Sequence, residues 1–81
     1  MTIRELDTVV LARDLPEHGL RRGDVGAVVF VHSSERFDVE FVRASGQTQA
    51  LVELGSGDVR PRDSDDIPAV RRMSADESGR Q

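Results

Sequence analysis

The stretch Gly19-Leu20-Arg21-Arg22-Gly23-Asp24-Val25-Gly26, followed at once by Ala27-Val28-Val29-Phe30-Val31, limits the possible fold more than any other part of this sequence. Three glycines in eight residues mark backbone that takes positive φ or approaches other backbone closely. The apolar run behind them is short and β-branched, so it reads as a buried strand rather than a helix. Val25, Ala27, Val29 and Val31 fall on one face of it, and Val28 and Phe30 on the other. A sheet with one wet face would alternate. This run predicts a strand central in a small barrel, or bent across two packed sheets.

The remaining strands follow from the same reasoning. Leu6 to Ala12 reads as a first strand, with Val9 and Leu11 sharing one face. Arg13 to Asp24 is a long connection carrying Pro16, Gly19 and Gly23, and its two leucines, Leu15 and Leu20, read as anchors that pin it to the body. After a tight connection at His32-Ser33-Ser34-Glu35, Arg36 to Val42 alternates cleanly, with Phe37, Val39 and Phe41 inward. Ser45-Gly46 sits where a two-residue hairpin turn belongs. Centring on it pairs Arg43 with Thr48, Phe41 with Ala50, Val39 with Val52 and Phe37 with Leu54, so each inward aromatic or valine meets an apolar residue. The outer face of the hairpin then pairs Val42 with Gln49, Glu40 with Leu51 and Asp38 with Glu53. Gly55-Ser56-Gly57 is a turn, and Asp58-Val59-Arg60-Pro61 closes with a helical turn and an edge strand, where Pro61 is tolerated.

Composition sets the remaining limits. The 81 residues make one domain, residues 1–62, followed by a flexible tail over 63–81 in which few apolar residues offset ordering entropy. A short helix over Ala69 to Met73 is a minor expectation there. With three Phe, no Trp and no Tyr the core is aliphatic, and with no Cys there are neither disulfides nor thiolate metal sites. All 11 basic residues are arginine, and the formal charge is −4, the wrong sign for a chain whose affinity comes from neutralising many phosphates. No apolar stretch approaches the ~20 residues of a membrane span, and Met1 to Glu5 lacks the apolar segment of a signal peptide, so a cytoplasmic protein is expected.

Five short strands, a long first loop and a tight hairpin describe an all-β, five-stranded SH3-like barrel. Leu6-Asp7-Thr8-Val9-Val10-Leu11, Asp14-Leu15-Pro16-Glu17-His18-Gly19-Leu20 and Gly23-Asp24-Val25-Gly26-Ala27-Val28-Val29, continued by Asp38-Val39-Glu40-Phe41, Gly46-Gln47-Thr48 and Asp58-Val59-Arg60-Pro61, resemble a family of small uncharacterised bacterial proteins described as a domain of unknown function. The resemblance runs from about Leu6 to Pro61. It implies a fold and a bacterial source and carries over no catalytic residues. A looser similarity is to the KOW segment of ribosomal and transcription-elongation proteins, whose Gly-x-x-Gly turn before a valine-rich strand is matched by Gly23 and Gly26. The neighbouring loops here lack that segment's lysines and dense basic lining.

Chemistry-bearing groups are sparse. Gly23-Asp24-Val25-Gly26 opens a strand rather than a helix and lacks the Lys-Ser/Thr ending of a phosphate loop, so it reads, with Gly19 and Gly46, as structural turn. Asp38, Glu40 and Glu53 converge on the outer face of the hairpin, where three carboxylates can bind a hard cation. A flat exposed setting makes a solvated, salt-bridged face the better reading, with Arg36 or Arg60 relieving the repulsion between Asp38 and Glu53. His18 and His32 lie in different loops and form no triad spacing. No catalytic residue, metal or cofactor is expected. Val42 and Leu51 point outward beside Glu40 and, with the loop leucines, suggest a docking patch. The expected function is therefore a non-enzymatic module that binds another protein through Asp38, Glu40, Val42, Leu51 and Glu53, in the manner of an antitoxin, an immunity protein or an accessory subunit. The chain is expected to be a monomer or a weak homo-oligomer pairing through an open edge. The alternative is a KOW-like nucleic-acid-binding domain that uses Arg13, Arg21 and Arg22 on RNA or the ribosome.

Overall fold

The computed structural model describes residues 3–63, 65–67 and 70–73. Five strands, β1 (Thr8–Leu11), β2 (Val25–Ser33), β3 (Arg36–Val42), β4 (Thr48–Gly55) and β5 (Val59–Pro61), form one antiparallel sheet in the order β4-β3-β2-β1-β5. The fold is all-β, as the strand pattern predicts. β4 and β5 remain as its two edges, so the barrel is approximate: the sheet curls round its core without closing. β1, β3, β4 and β5 all contribute to one buried cluster, which includes Val9, Leu11, Phe37, Phe41, Leu54 and Val59. Among the described residues no helix is long and apolar enough to cross a membrane.

The long first loop is held by the leucines that interrupt its polarity. Leu15 and Leu20, 1% and 4% exposed, join the core, and their backbones bond each other in both directions, at 2.9 and 3.0 Å. Between them Pro16–His18 makes a 3-10 turn, ended by Gly19 at φ +70°, whose N–H donates to the Pro16 carbonyl. Gly23 takes φ +97°. Gly26 serves a different purpose: a Cβ there would stand 2.6 Å from Val39 Cγ1 and 2.8 Å from Phe41 Cε2. The glycine-rich stretch thus supplies two left-handed corners and one point where β2 backbone lies directly on core side chains.

Three expectations about β1 to β4 are corrected. β1 is shorter than Leu6 to Ala12, because Leu6 takes φ +74° and is exposed. β2 is not buried on both faces. Irregularities between Val28 and Phe30, and again between Val31 and Ser33, each insert one unpaired residue. Every such insertion reverses the alternation of faces, so Val28 stays in the core while Phe30 turns outward, 50% exposed. The third correction concerns the end of the β3–β4 hairpin. Phe41↔Ala50, Val39↔Val52 and Phe37↔Leu54 pair as the apolar match requires, but Val42 pairs with Thr48, not Gln49. The turn is tighter at Arg43 to Gly46, where Gly46, at φ +90°, donates to the Arg43 carbonyl at 2.8 Å. This leaves Gln49 as an extra residue whose side chain accepts from Arg43 Nε at 2.8 Å and donates to the His18 carbonyl at 3.2 Å. The bulge ties the hairpin to the first loop.

β5 is an edge strand ending at Pro61, as expected, and the preceding residues form a turn rather than a helical one. Beyond it, Arg60 grips Asp66 through two hydrogen bonds of 2.9 and 2.7 Å. Arg71 reaches back to Asp24. Residues 70–73 carry no helix. Residues 64, 68–69 and 74–81 lie outside the described residues, and with them Ala69 of the expected helix and much of the expected flexible tail.

Candidate protein-docking face

β2, β3 and β4 present a continuous outer face. Cross-strand pairing sets Phe30 beside Asp38 and Asp38 beside Glu53, then Ala27 beside Glu40 and Glu40 beside Leu51. Val42 follows two residues along β3 and is 56% exposed; Leu51 is 60% exposed. The five residues expected to bind a partner, Asp38, Glu40, Val42, Leu51 and Glu53, are therefore neighbours on one surface. The loop leucines are not part of it, because both are spent in the core.

Two carboxylates facing each other across strands repel, and each here has found its own positive or donor partner. Arg36 Nε lies 3.1 Å from Glu53 Oε2, and His32 Nε2 lies 3.0 Å from Asp38 Oδ1. Glu40 accepts the Thr48 hydroxyl at 2.6 Å. Of the two arginines expected to relieve the repulsion, Arg36 does so, while Arg60 is committed to Asp66. The His32 ring also meets Phe30 edge-on, with centroids 4.8 Å apart and planes at 68°. One donor atom each from His32, Asp38 and Glu53 lies within 4.8 Å of the others. In this set the Glu53 carboxylate is shared with Arg36.

Sequence reasoning missed Phe30 and His32 as members of this face. Counting straight back from Ser33↔Arg36 would set Phe30 against the buried Val39; the extra residue, His32, moves it to Asp38. Nothing in an unbroken apolar run marks such a phase change.

The arginines of the alternative reading are engaged separately. Arg13 Nε bonds Asp58 Oδ1 at 2.7 Å, and Asp58 also accepts the Gly55 N–H at 2.9 Å. The Arg13 hydrogen bond, then that of Gly55, holds the Asp58 carboxyl below its usual value. Arg21 and Arg22 donate backbone N–H groups to Asp24 and Asp14, both at 2.8 Å. Their guanidinium groups make no ion pair among the described residues. Asp24 accordingly does the work of a turn residue, as the glycine-rich stretch implies. Burial pushes its carboxyl up, but the hydrogen bonds from Arg71 and Arg21 outweigh this and hold it below the ordinary aspartate value.

Residues 5–61 match a protein family described as a domain of unknown function, DUF4926. This chain belongs to the DUF4926 family. The match covers all five strands and ends at Pro61, the last residue of β5. No curated protein and no solved structure matches the chain. Within the DUF4926 region the outer face of β2, β3 and β4, the first loop and the Arg13–Asp58 clasp are all included; Arg71 lies outside it.

Proposed function

We propose that this chain is a non-enzymatic protein-interaction module, an SH3-like curl of sheet acting in the cytoplasm, and that the outer face of β2, β3 and β4 is its docking surface. The observation that carries the reading is the placement of Phe30, Val42 and Leu51, each at least half exposed, among Asp38, Glu40 and Glu53 on three paired strands. Apolar anchors on a rigid support provide binding energy, and surrounding charges provide partner choice. Such a face suits a partner that offers an apolar patch rimmed by Arg or Lys, as the target of an antitoxin or immunity protein or the main subunit of a complex would. A non-catalytic role also fits the state of the perturbed carboxylates. Asp24, Asp58 and Asp66 are each held in an arginine pair with a lowered pKa, an arrangement that keeps charge fixed rather than moving protons near neutral pH.

The test is an affinity pull-down of the tagged chain from its host at moderate salt, with and without nuclease, in wild-type and Leu51→Asp forms. One near-stoichiometric protein that survives nuclease and is lost with Leu51→Asp supports the docking face. Recovery of ribosomal material that nuclease abolishes, and that Arg21→Glu/Arg22→Glu removes, replaces it with the KOW-like RNA-binding reading.

A further inference from the structure

A cleft of about 540 Å³ lies between the first loop, the β3–β4 turn and residues 70–73. Leu20, Phe41, Val25 and Val42 give it an apolar lining, and Asp24 gives it one carboxylate. The chain's own Arg71 lines the polar end. Its Nε donates to Asp24 Oδ1 at 2.9 Å and its Nη2 to Asp24 Oδ2 at 2.6 Å, while Nη2 also donates to the Gly19 carbonyl at 3.0 Å. Two residues on, the Met73 methyl reaches the same loop, 3.3 Å from where a Cβ on Gly19 would stand.

The same acceptors are also tied into the loop itself. Asp24 is oriented by the Arg21 N–H at 2.8 Å. The Gly19 carbonyl follows the left-handed corner that ends the 3-10 turn. A carboxylate presented end-on with a carbonyl beside it matches the planar fork of a guanidinium better than the single nitrogen of a lysine ammonium. In an extended segment, side chains two apart point the same way, so an arginine and the second residue after it enter the cleft together.

We infer that this cleft is a recognition groove for an extended peptide segment carrying an arginine and, two residues later, an apolar side chain, and that Arg71–Met73 rest in it as a ligand in cis. The groove lies apart from the Phe30–Leu51 face except at Val42, and it reads a partner's arginine rather than an apolar patch. A tethered ligand competes at an effective concentration on the millimolar scale, so the groove admits a partner only when the tail is displaced.

The experiment uses the full chain and a fluorescently labelled synthetic peptide of its own residues 67–74, followed by anisotropy. Arg71→Ala, which frees the Asp24 end of the groove, is expected to bind this peptide at least tenfold more tightly than wild type. Adding Asp24→Asn should remove that gain. Replacing the first arginine of the peptide by citrulline, which leaves the protein untouched, should abolish binding to Arg71→Ala. Absence of binding to Arg71→Ala, or binding indifferent to the citrulline exchange, overturns the proposal. None of these changes alters Phe30 or Leu51, so the result stands independently of the docking face.

Discussion

Two glycines show how the same residue type carries different physics. Gly26 lies where a methyl group would strike Val39 and Phe41 in the core, and Gly46 sits at φ +90° with open space around it. Gly26→Ala should therefore destabilise by overpacking, about 1–3 kcal/mol. Gly46→Ala carries a backbone penalty of about 1–2 kcal/mol. Urea unfolding followed by circular dichroism distinguishes them, because a second substitution that shrinks Phe41 to Leu should soften the first cost and leave the second unchanged. The sequence already points to backbone with special demands at Gly19, Gly23, Gly26 and Gly46. It does not say which need is conformational and which is steric, because that depends on what lies across the sheet.

At the scale of elements, the β3–β4 pairing was legible and the phase of β2 was not. Phe37, Val39 and Phe41 alternate with charged residues, so a slip of one position would bury Asp38 and Glu40, and the register follows. In β2 every residue from Val25 to Val31 is apolar, and an inserted residue leaves no mark in such a run. Gln49 escaped notice for a related reason: a bulge is defined by which backbone groups pair, and the side-chain pattern around it is polar either way. The anchoring of the first loop is legible from its leucines alone, both of which are buried. Leu15→Ala should cost about 2–5 kcal/mol through the cavity it leaves. Since Leu15 and Leu20 also bond each other's backbone, amide exchange at Leu20 should accelerate more than at Val39, measured by hydrogen–deuterium exchange. Equal acceleration at both would mean that the loop and the sheet open as one unit.

Across the whole molecule, charge pairing joins parts remote in sequence, Arg13 with Asp58, Arg71 with Asp24 and Arg36 with Glu53, while Arg60 pairs locally with Asp66. Of these partnerships only that of Arg36 with the hairpin carboxylates is legible in the sequence, where each guanidinium otherwise resembles the next. Asp24, Asp58 and Asp66 all titrate below the ordinary 3.8 in the folded chain, Asp66 at about 2 under its hydrogen bonds from Arg60. A carboxyl that is more acidic folded than unfolded contributes stability above its unfolded value and loses it as pH falls through the folded one. Thermal unfolding should accordingly hold steady from neutrality to about pH 5 and weaken between about pH 4 and about pH 2; a midpoint independent of pH down to 2 would mean that these pairs contribute nothing. The basic side of the same titration has a different character. Hydrogen bonds to Asp58, Asp66 and Asp24 push the guanidinium groups of Arg13, Arg60 and Arg71 further up, and the sequence has no Lys, Cys or Tyr. Between imidazole and guanidinium no side chain gains or loses a proton, so the side chains keep one fixed charge pattern throughout mild alkali and offer amine- and thiol-directed reagents nothing to modify.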